Sequence, residues 1–295
     1  MCGRYASARK RIELLEEFSV QRDRVTEPLE PDYNVAPTKP VYAVLTRRPR
    51  AADTTEQPEA APADREPQRE LRVVRWGLVP SWAKDTSIGS RLINARSETV
   101  SEKPAFKRAF ARRRCLLPAD GYYEWQQPEN GPGPARSGPA KSGPAKSGTA
   151  KQPFYISRSD GGSLAFAGLY ELWRDRAFPD GDPDAWLWTT TIITTTAPDD
   201  LGRIHDRMPM VIEPGSWADW LDPANADADA LLALLAPAAA DGLASYPVSR
   251  AVNSVRNNGP ELTEPVELTG AVELTGPELS ALGERPSGSE PDTLF

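Results

Sequence analysis

The 295-residue chain carries 35 Lys and Arg against 42 Asp and Glu, a net charge of −7, with one His and two Cys. Two cysteines exclude a disulfide scaffold, and one His with two distant Cys supplies no metal-ligand spacing, so no metal and no cofactor is expected. No apolar run approaches the roughly 18 residues needed to cross a bilayer, and the start is rich in Arg and Glu rather than leader-like, so a cytoplasmic chain with no membrane partner is expected.

The acidic balance is unevenly placed. Residues 261–295 hold eight acids and one base, which accounts for the whole net charge. The rest is neutral, with basic clusters at Arg9-Lys10-Arg11 and from Lys107 to Arg114. A neutral domain with a basic face can hold phosphates. Three stretches have too few large apolar side chains to offset chain entropy: residues 49–70, residues 127–152 with their GPARS, GPAKS, GPAKS repeat, and residues 260–295. The expected organisation is one domain over 2–258, with disordered insertions at about 49–70 and 127–152, then a disordered acidic tail over 259–295.

Taken in order, Ser7 is placed to cap a helix running to about Phe18, with Ile12, Leu15 and Phe18 marking its buried face and Leu14 beside them. A Pro-punctuated stretch from Glu27 to Pro40 follows. Val41–Thr46 and Leu71–Trp76 read as strands paired across the first insertion. Gly77–Trp82 is a loop with an aromatic at its tip, and Leu92–Thr99 is short and mixed. Pro104–Arg114 reads as a helix with Phe106 and Phe110 at i, i+4. Cys115-Leu116-Leu117 is a buried strand, and Gly121–Trp125 pairs with Phe154–Arg158 across the second insertion. Further strands are Leu164–Tyr170, Trp186–Thr196 and Met210-Val211-Ile212. Ser216 and Asp219 sit at capping-box spacing for a helix to Leu221, and Ala228–Leu235 is a second helix. Strands dominate and helices are inserted rather than alternating. The expected class is α+β, a single domain with a mostly antiparallel, barrel-like β core and flanking helices.

Four groups of residues carry chemistry. If Met1 is removed, Cys2 presents an α-amine and a thiol on adjacent carbons. An aldehyde then forms a Schiff base with the nitrogen, and the thiol closes it to a thiazolidine. The competing view is a small residue that merely follows the start codon. Glu124 lies among Tyr122, Tyr123 and Trp125, where a carboxyl tends towards a raised pKa; the alternative is the wet face of a strand. His205 is the chain's one histidine, in a loop with Arg203, Asp206 and Arg207, and any imidazole chemistry must use it. Asn94 and Arg96 share one face of an extended segment, suited to a carbonyl or sugar hydroxyl and to a phosphate, or to a salt bridge with Glu98 or Asp120. Trp82 can stack on a base or fill the core. Cys115 reads as a buried, inert thiol.

The motifs M-C-G-R-Y at residues 1–5, Y-N-V-A-P-T at 33–38, W-G-L-V-P-S-W at 76–82, I-N-A-R-S-E-T at 93–99, R-R-C-L-L-P-A-D-G-Y-Y-E-W at 113–125 and I-H-D-R-M-P at 204–209 occur in this order. Together they resemble the SOS response-associated peptidase family, whose members process abasic sites in single-stranded DNA. The resemblance covers Met1 to about Asn258. It implies that Cys2 captures the ring-opened aldehyde, with Asn94, Glu124 and His205 around the reacting centre. It also implies that Arg4, Arg96 and Arg207 face phosphates and that Asn34 shapes the pocket. The partner would be single-stranded DNA containing abasic sites, met by a monomer that joins the nucleoid at damage. Self-processing removal of Met1 belongs to the same picture. Bacterial relatives often carry two adjacent tryptophans where this chain has Trp82 and Ala83, so weaker stacking is expected at that edge. Two rivals remain: a cysteine-type peptidase with Cys2 as an N-terminal nucleophile, and a non-covalent single-stranded DNA binding module.

Overall fold

The computed structural model describes residues 2–48, 66–127, 151–235 and 242–268. In chain order the strands are β1 (Tyr5–Ser7), β2 (Arg22–Asp23), β3 (Asp32–Val35), β4 (Pro40–Arg47), β5 (Gln68–Trp76), β6 (Asn94–Arg96), β7 (Arg114–Ala119), β8 (Gly121–Gln126), β9 (Gln152–Arg158), β10 (Leu164–Arg174), β11 (Trp186–Thr196), β12 (Arg207–Pro209) and β13 (Leu243–Pro247). The short helices are α1 (Arg11–Glu17), α2 (Lys107–Arg112), α3 (Asp199–Gly202), α4 (Trp217–Leu221) and α5 (Ala228–Ala233).

Five strands close a barrel. β4 is antiparallel to β5 and β7, and β10 is antiparallel to β7 and β11. The ring closes where Thr189 and Thr190 of β11 meet Arg75 and Trp76 of β5 in parallel. Successive side chains on a strand point to opposite faces, and the two faces here build separate cores. Val41, Ala43, Leu45, Val74, Trp76, Cys115, Leu117, Phe166 and Ile192 form one, which also takes in Cys2, Tyr5 and Tyr122. Val44, Leu71, Leu116, Ala167, Leu169 and Ile193 form the other, covered by helix residues Leu14, Phe110, Trp220 and Leu231. Helices α1, α2, α4 and α5 therefore cover one face of the barrel wall, while the N-terminus and Leu201 of α3 pack into the cluster on its other face. A second sheet, ordered β13-β9-β8-β1-β3, is antiparallel throughout and carries β1 between β8 and β3. The expected α+β class with a barrel-like, mostly antiparallel core is the class observed.

Several local expectations are corrected. Ser7 is the last residue of β1 and caps nothing; α1 starts at Arg11, with the Glu13 carboxylate accepting from the Lys10 amide at 3.0 Å. Leu14 and Phe18, at i, i+4, are buried, which turns Ile12 outward at 59 % exposure. The helix expected over 104–114 is shorter, Lys107–Arg112, and Ser216 makes no side-chain cap to α4. The stretch 210–212 is not a strand. Met210 N donates to Ile193 O, while Met210 O and Ile212 N bond Ala167 and Ala165, so the chain crosses from β11 to β10 instead of extending a ladder.

The outer bounds move too. β5 begins at Gln68, inside the first expected insertion, and its Glu70 is buried. β9 begins at Gln152, at the edge of the second. The fold continues past 258: a 3-10 turn at Pro260–Thr263 buries Leu262 against Ala6, Tyr123, Tyr155, Val248 and Val252. The rest of the insertions, residues 49–65 and 128–150, lies outside the described residues, as do Met1 and 269–295 of the acidic tail.

Candidate active site

β1 runs between β8 and β3, which carries Cys2, just before it, to the edge of the barrel core. β6, held parallel to β11 through Asn94↔Ile192, brings Asn94 to the same place. The Asn94 Nδ2 donates to the Cys2 carbonyl at 2.7 Å. The Asn94 Oδ1 is buried without a hydrogen-bond partner among the described residues, so an acceptor is held ready beside Cys2. Burial pushes the Cys2 thiol well above its ordinary value, and the charge of Glu124 adds to that effect. The thiol is therefore neutral at physiological pH until a base takes its proton.

Tyr122 and Glu124 alternate onto one face of β8. With His205, Arg207, Met208, Ile204, Leu201, Ala197 and Ile156 they line a narrow cleft of about 10 Å³. Glu124 is 4 % exposed. Burial raises its pKa to about 7, and the positive charge at the chain's amino terminus opposes the rise. The expectation of a raised carboxyl among aromatics holds, because the apolar wall of the cleft withholds the water that would solvate the charge.

His205 is half-buried, and burial lowers its pKa. Its Nδ1 lies 3.0 Å from the Arg207 amide and 2.9 Å from Asp206 Oδ1. Both contacts cannot be hydrogen bonds at once. A neutral ring with its proton on Nε2 accepts the amide at Nδ1, whereas a proton on Nδ1 is donated to Asp206. The ring thus has a partner in either state.

The expected phosphate-facing residues divide. The Arg207 guanidinium is gripped by the Glu98 carboxylate and donates to Thr194 O at 2.6 Å. Arg4 donates to Asn34 Oδ1 at 2.6 Å and to Val252 O at 2.9 Å, and lies 5.8 Å from the Trp125 ring centre. Arg96 is exposed; the Glu98 carboxyl is held below its ordinary range chiefly by its hydrogen bond from Arg207, with the Arg96 charge a lesser contributor. Trp82 is 58 % exposed, in a turn whose Ala83 carbonyl accepts the Trp173 indole N–H. Asn34 is buried, and its Nδ2 reaches the carbonyls of Ser254 and Asn257, both at 2.9 Å.

The structure thus brings Glu124, His205 and Arg207 to one cleft, with Cys2 within the electrostatic reach of Glu124 and Asn94 bonded to Cys2. Arg4 and Asn34 form an adjoining network, and no contact among the described residues joins Trp82 to either. Sequence reasoning missed Trp125 as the platform under Arg4, the Glu98 grip on Arg207, and the 252–257 carbonyls that hold Asn34. Only the alternation of β8 hinted at the first, since Trp125 must face away from Glu124. Among the described residues, His, Cys, Asp and Glu nowhere group as three or more potential metal ligands.

The site is thus defined by a barrel whose second residue, Cys2, is clamped by Asn94 and lies within the electrostatic reach of the buried Glu124, which shares a cleft with His205. Residues 1–255 match the family described as SOS response associated peptidase (SRAP), and the chain belongs to that family. It is 37 % identical over 264 residues to the Bacillus subtilis abasic site processing protein YoqW, covering 90 % of this chain and 99 % of that one. The Gallus gallus abasic site processing protein HMCES is 32 % identical over 248 residues, 76 % of this chain and 66 % of that one. A solved protein from Bacteroides thetaiotaomicron superposes with a TM-score of 0.67 at 23 % identity, over 90 % of this chain and all of that one, and so shares the fold. No described helix is long and apolar enough to cross a membrane.

Proposed function

We propose that the chain, once Met1 is lost by hydrolysis of the Met1–Cys2 bond, captures abasic sites in single-stranded DNA as a covalent adduct on Cys2. The names of the relatives suggest the substrate, and the surroundings of Cys2 suggest the chemistry. The observation that carries the reading is the buried Glu124 carboxyl beside Cys2, with a pKa of about 7. A group of that pKa gives and takes protons at neutral pH.

The steps balance without a cofactor. His205 moves a proton between the ring oxygen and the anomeric hydroxyl, opening the sugar to its aldehyde. The Cys2 amine, deprotonated with help from Glu124, adds to the aldehyde carbon. Loss of one water leaves a Schiff base. The thiol sulfur then adds to the same carbon, and the thiol proton ends on nitrogen. The product is a five-membered thiazolidine, and one water is released overall. Asn94 holds the Cys2 backbone during these steps, and its Oδ1 receives a hydroxyl of the opening sugar.

In this reading Arg4, Arg96 and Arg207 serve the phosphates, Asn34 shapes the pocket, and Trp82 offers a stacking surface. The protein works as a cytoplasmic monomer that joins the nucleoid at damage. The test is denaturing electrophoresis of the protein with abasic single-stranded DNA. A heat-stable adduct is expected from the chain beginning at Cys2, and none when an N-terminal extension blocks Met1 removal or when Cys2 is changed to Ser. Equal adduct from the blocked chain would overturn the N-terminal mechanism.

A further inference from the structure

The stretch 250–258 is solvent-facing apart from Val252, yet it is tied down at unusual density. The buried Asn34 Nδ2 donates to the carbonyls of Val252, Ser254 and Asn257. Arg4 Nη1 donates to Val252 O, and the Trp125 indole N–H to Asn253 Oδ1 at 2.6 Å. Tyr33 N donates to Asn258 Oδ1, and Asn258 Nδ2 to Pro31 O. These donors and acceptors come from the segment before β1, from β3 and its approach, and from β8, the elements that position Cys2 and Glu124.

At the apex, Asn257 N donates to Ser254 O at 3.1 Å, closing a turn with Val255 and Arg256 at its corners. Val255 is 50 % exposed, one of the few large apolar side chains left in solvent among the described residues, and Arg256 beside it is exposed too. An exposed turn needs no such anchoring for the fold alone. A turn that must present an apolar tip and a cation at a fixed distance from a reactive residue does, because ordering it beforehand removes that cost from binding.

We infer that the turn at 254–257 is a pre-organised contact for the nucleic-acid strand captured at Cys2: Val255 packs on an exposed base face and Arg256 takes a backbone phosphate. The inference rests on the nucleic-acid reading of the site and extends it to a surface that the sequence motifs do not mark. It also gives Asn34 a task, holding this turn through Arg4 in register with Cys2. An apolar tip beside a cation suits single-stranded nucleic acid, whose bases expose their faces next to charged phosphates.

The experiment is equilibrium binding of undamaged single-stranded DNA by the full chain, across a salt series, for wild type, Val255→Ser, Arg256→Gln and Arg256→Lys. Both positions are exposed, so melting temperatures should match wild type. Arg256→Gln should flatten the slope of log K against log salt by about 0.7, one phosphate's worth on a single strand, and Arg256→Lys should restore it. Val255→Ser should weaken binding by about three- to tenfold with the slope unchanged. Affinities within twofold of wild type and an unchanged slope for Arg256→Gln would overturn the inference, as would a wild type that holds no single-stranded DNA. Capture chemistry does not enter this measurement. A wild type that shows these signatures but forms no adduct with abasic DNA would sink the thiazolidine reading and leave the turn's role standing.

Discussion

Replacing Glu124 by Gln should stabilise the protein at alkaline pH while impairing capture. The Glu124 carboxyl is almost wholly buried, and its pKa rises from the ordinary 4.5 to about 7. Below pH 4.5 it is protonated in both folded and unfolded chains and contributes nothing to the pH dependence. Between 4.5 and 7 the folded chain holds a proton that the unfolded chain has released, so stability falls as pH rises. Above 7 the full cost is present, about 3 kcal/mol at ~1.4 kcal/mol per pKa unit. Gln has nearly the same shape and never ionises, so it escapes that loss. Glu124→Gln should therefore match wild type near pH 4.5 and exceed it by about 3 kcal/mol at pH 8, a rise of roughly 6–12 °C in Tm for a domain of this size. Thermal melts from pH 4.5 to 8.5 measure the difference, and single-turnover adduct formation measures the loss of function. A variant whose melting curve tracks wild type at every pH would show that Glu124 is not a buried acid with a raised pKa.

His205→Ala should slow adduct formation by about 10²–10⁴-fold, the usual loss for an acid–base group, with the affinity for single-stranded DNA close to wild type; a wild-type rate would make His205 a bystander. Glu98→Gln removes the charge that grips Arg207, so it should tighten salt-sensitive DNA binding and steepen the salt slope by about 0.7; unchanged binding would mean that Arg207 is structural only. Leu262→Ala should cost about 2–4 kcal/mol in denaturant melts, because Leu262 is 1 % exposed against Ala6 and Val252; a loss below about 0.5 kcal/mol would place residues 259–268 outside the fold.

The sequence alone determined the elements that are local and periodic. Strands β4, β5, β7, β8, β9, β10 and β11 were legible because alternating or β-branched runs bury a face whatever their neighbours are. The pairing of β8 with β9 was legible because the intervening repeat has nothing to bury. Motifs marked Cys2, Asn94, Glu124 and His205 as candidates, and the aromatic neighbours of Glu124 pointed to its raised carboxyl. Tertiary structure decided what depends on distant partners. Barrel closure needs the parallel meeting of Thr189 and Thr190 with Arg75 and Trp76, which no short-range pattern encodes. Ser7 has the residue type of a helix cap, yet β1 pairing claims its backbone. The stretch 210–212 has the composition of a strand, yet its amides and carbonyls are divided between β11 and β10. The grip of Glu98 on Arg207 spans 109 residues, and the hold of Arg4 on Val252 spans 248. Hydrogen bonding and burial act through space, so a group's partners, and with them its charge state and its freedom to meet a ligand, become defined only when the chain has closed on itself.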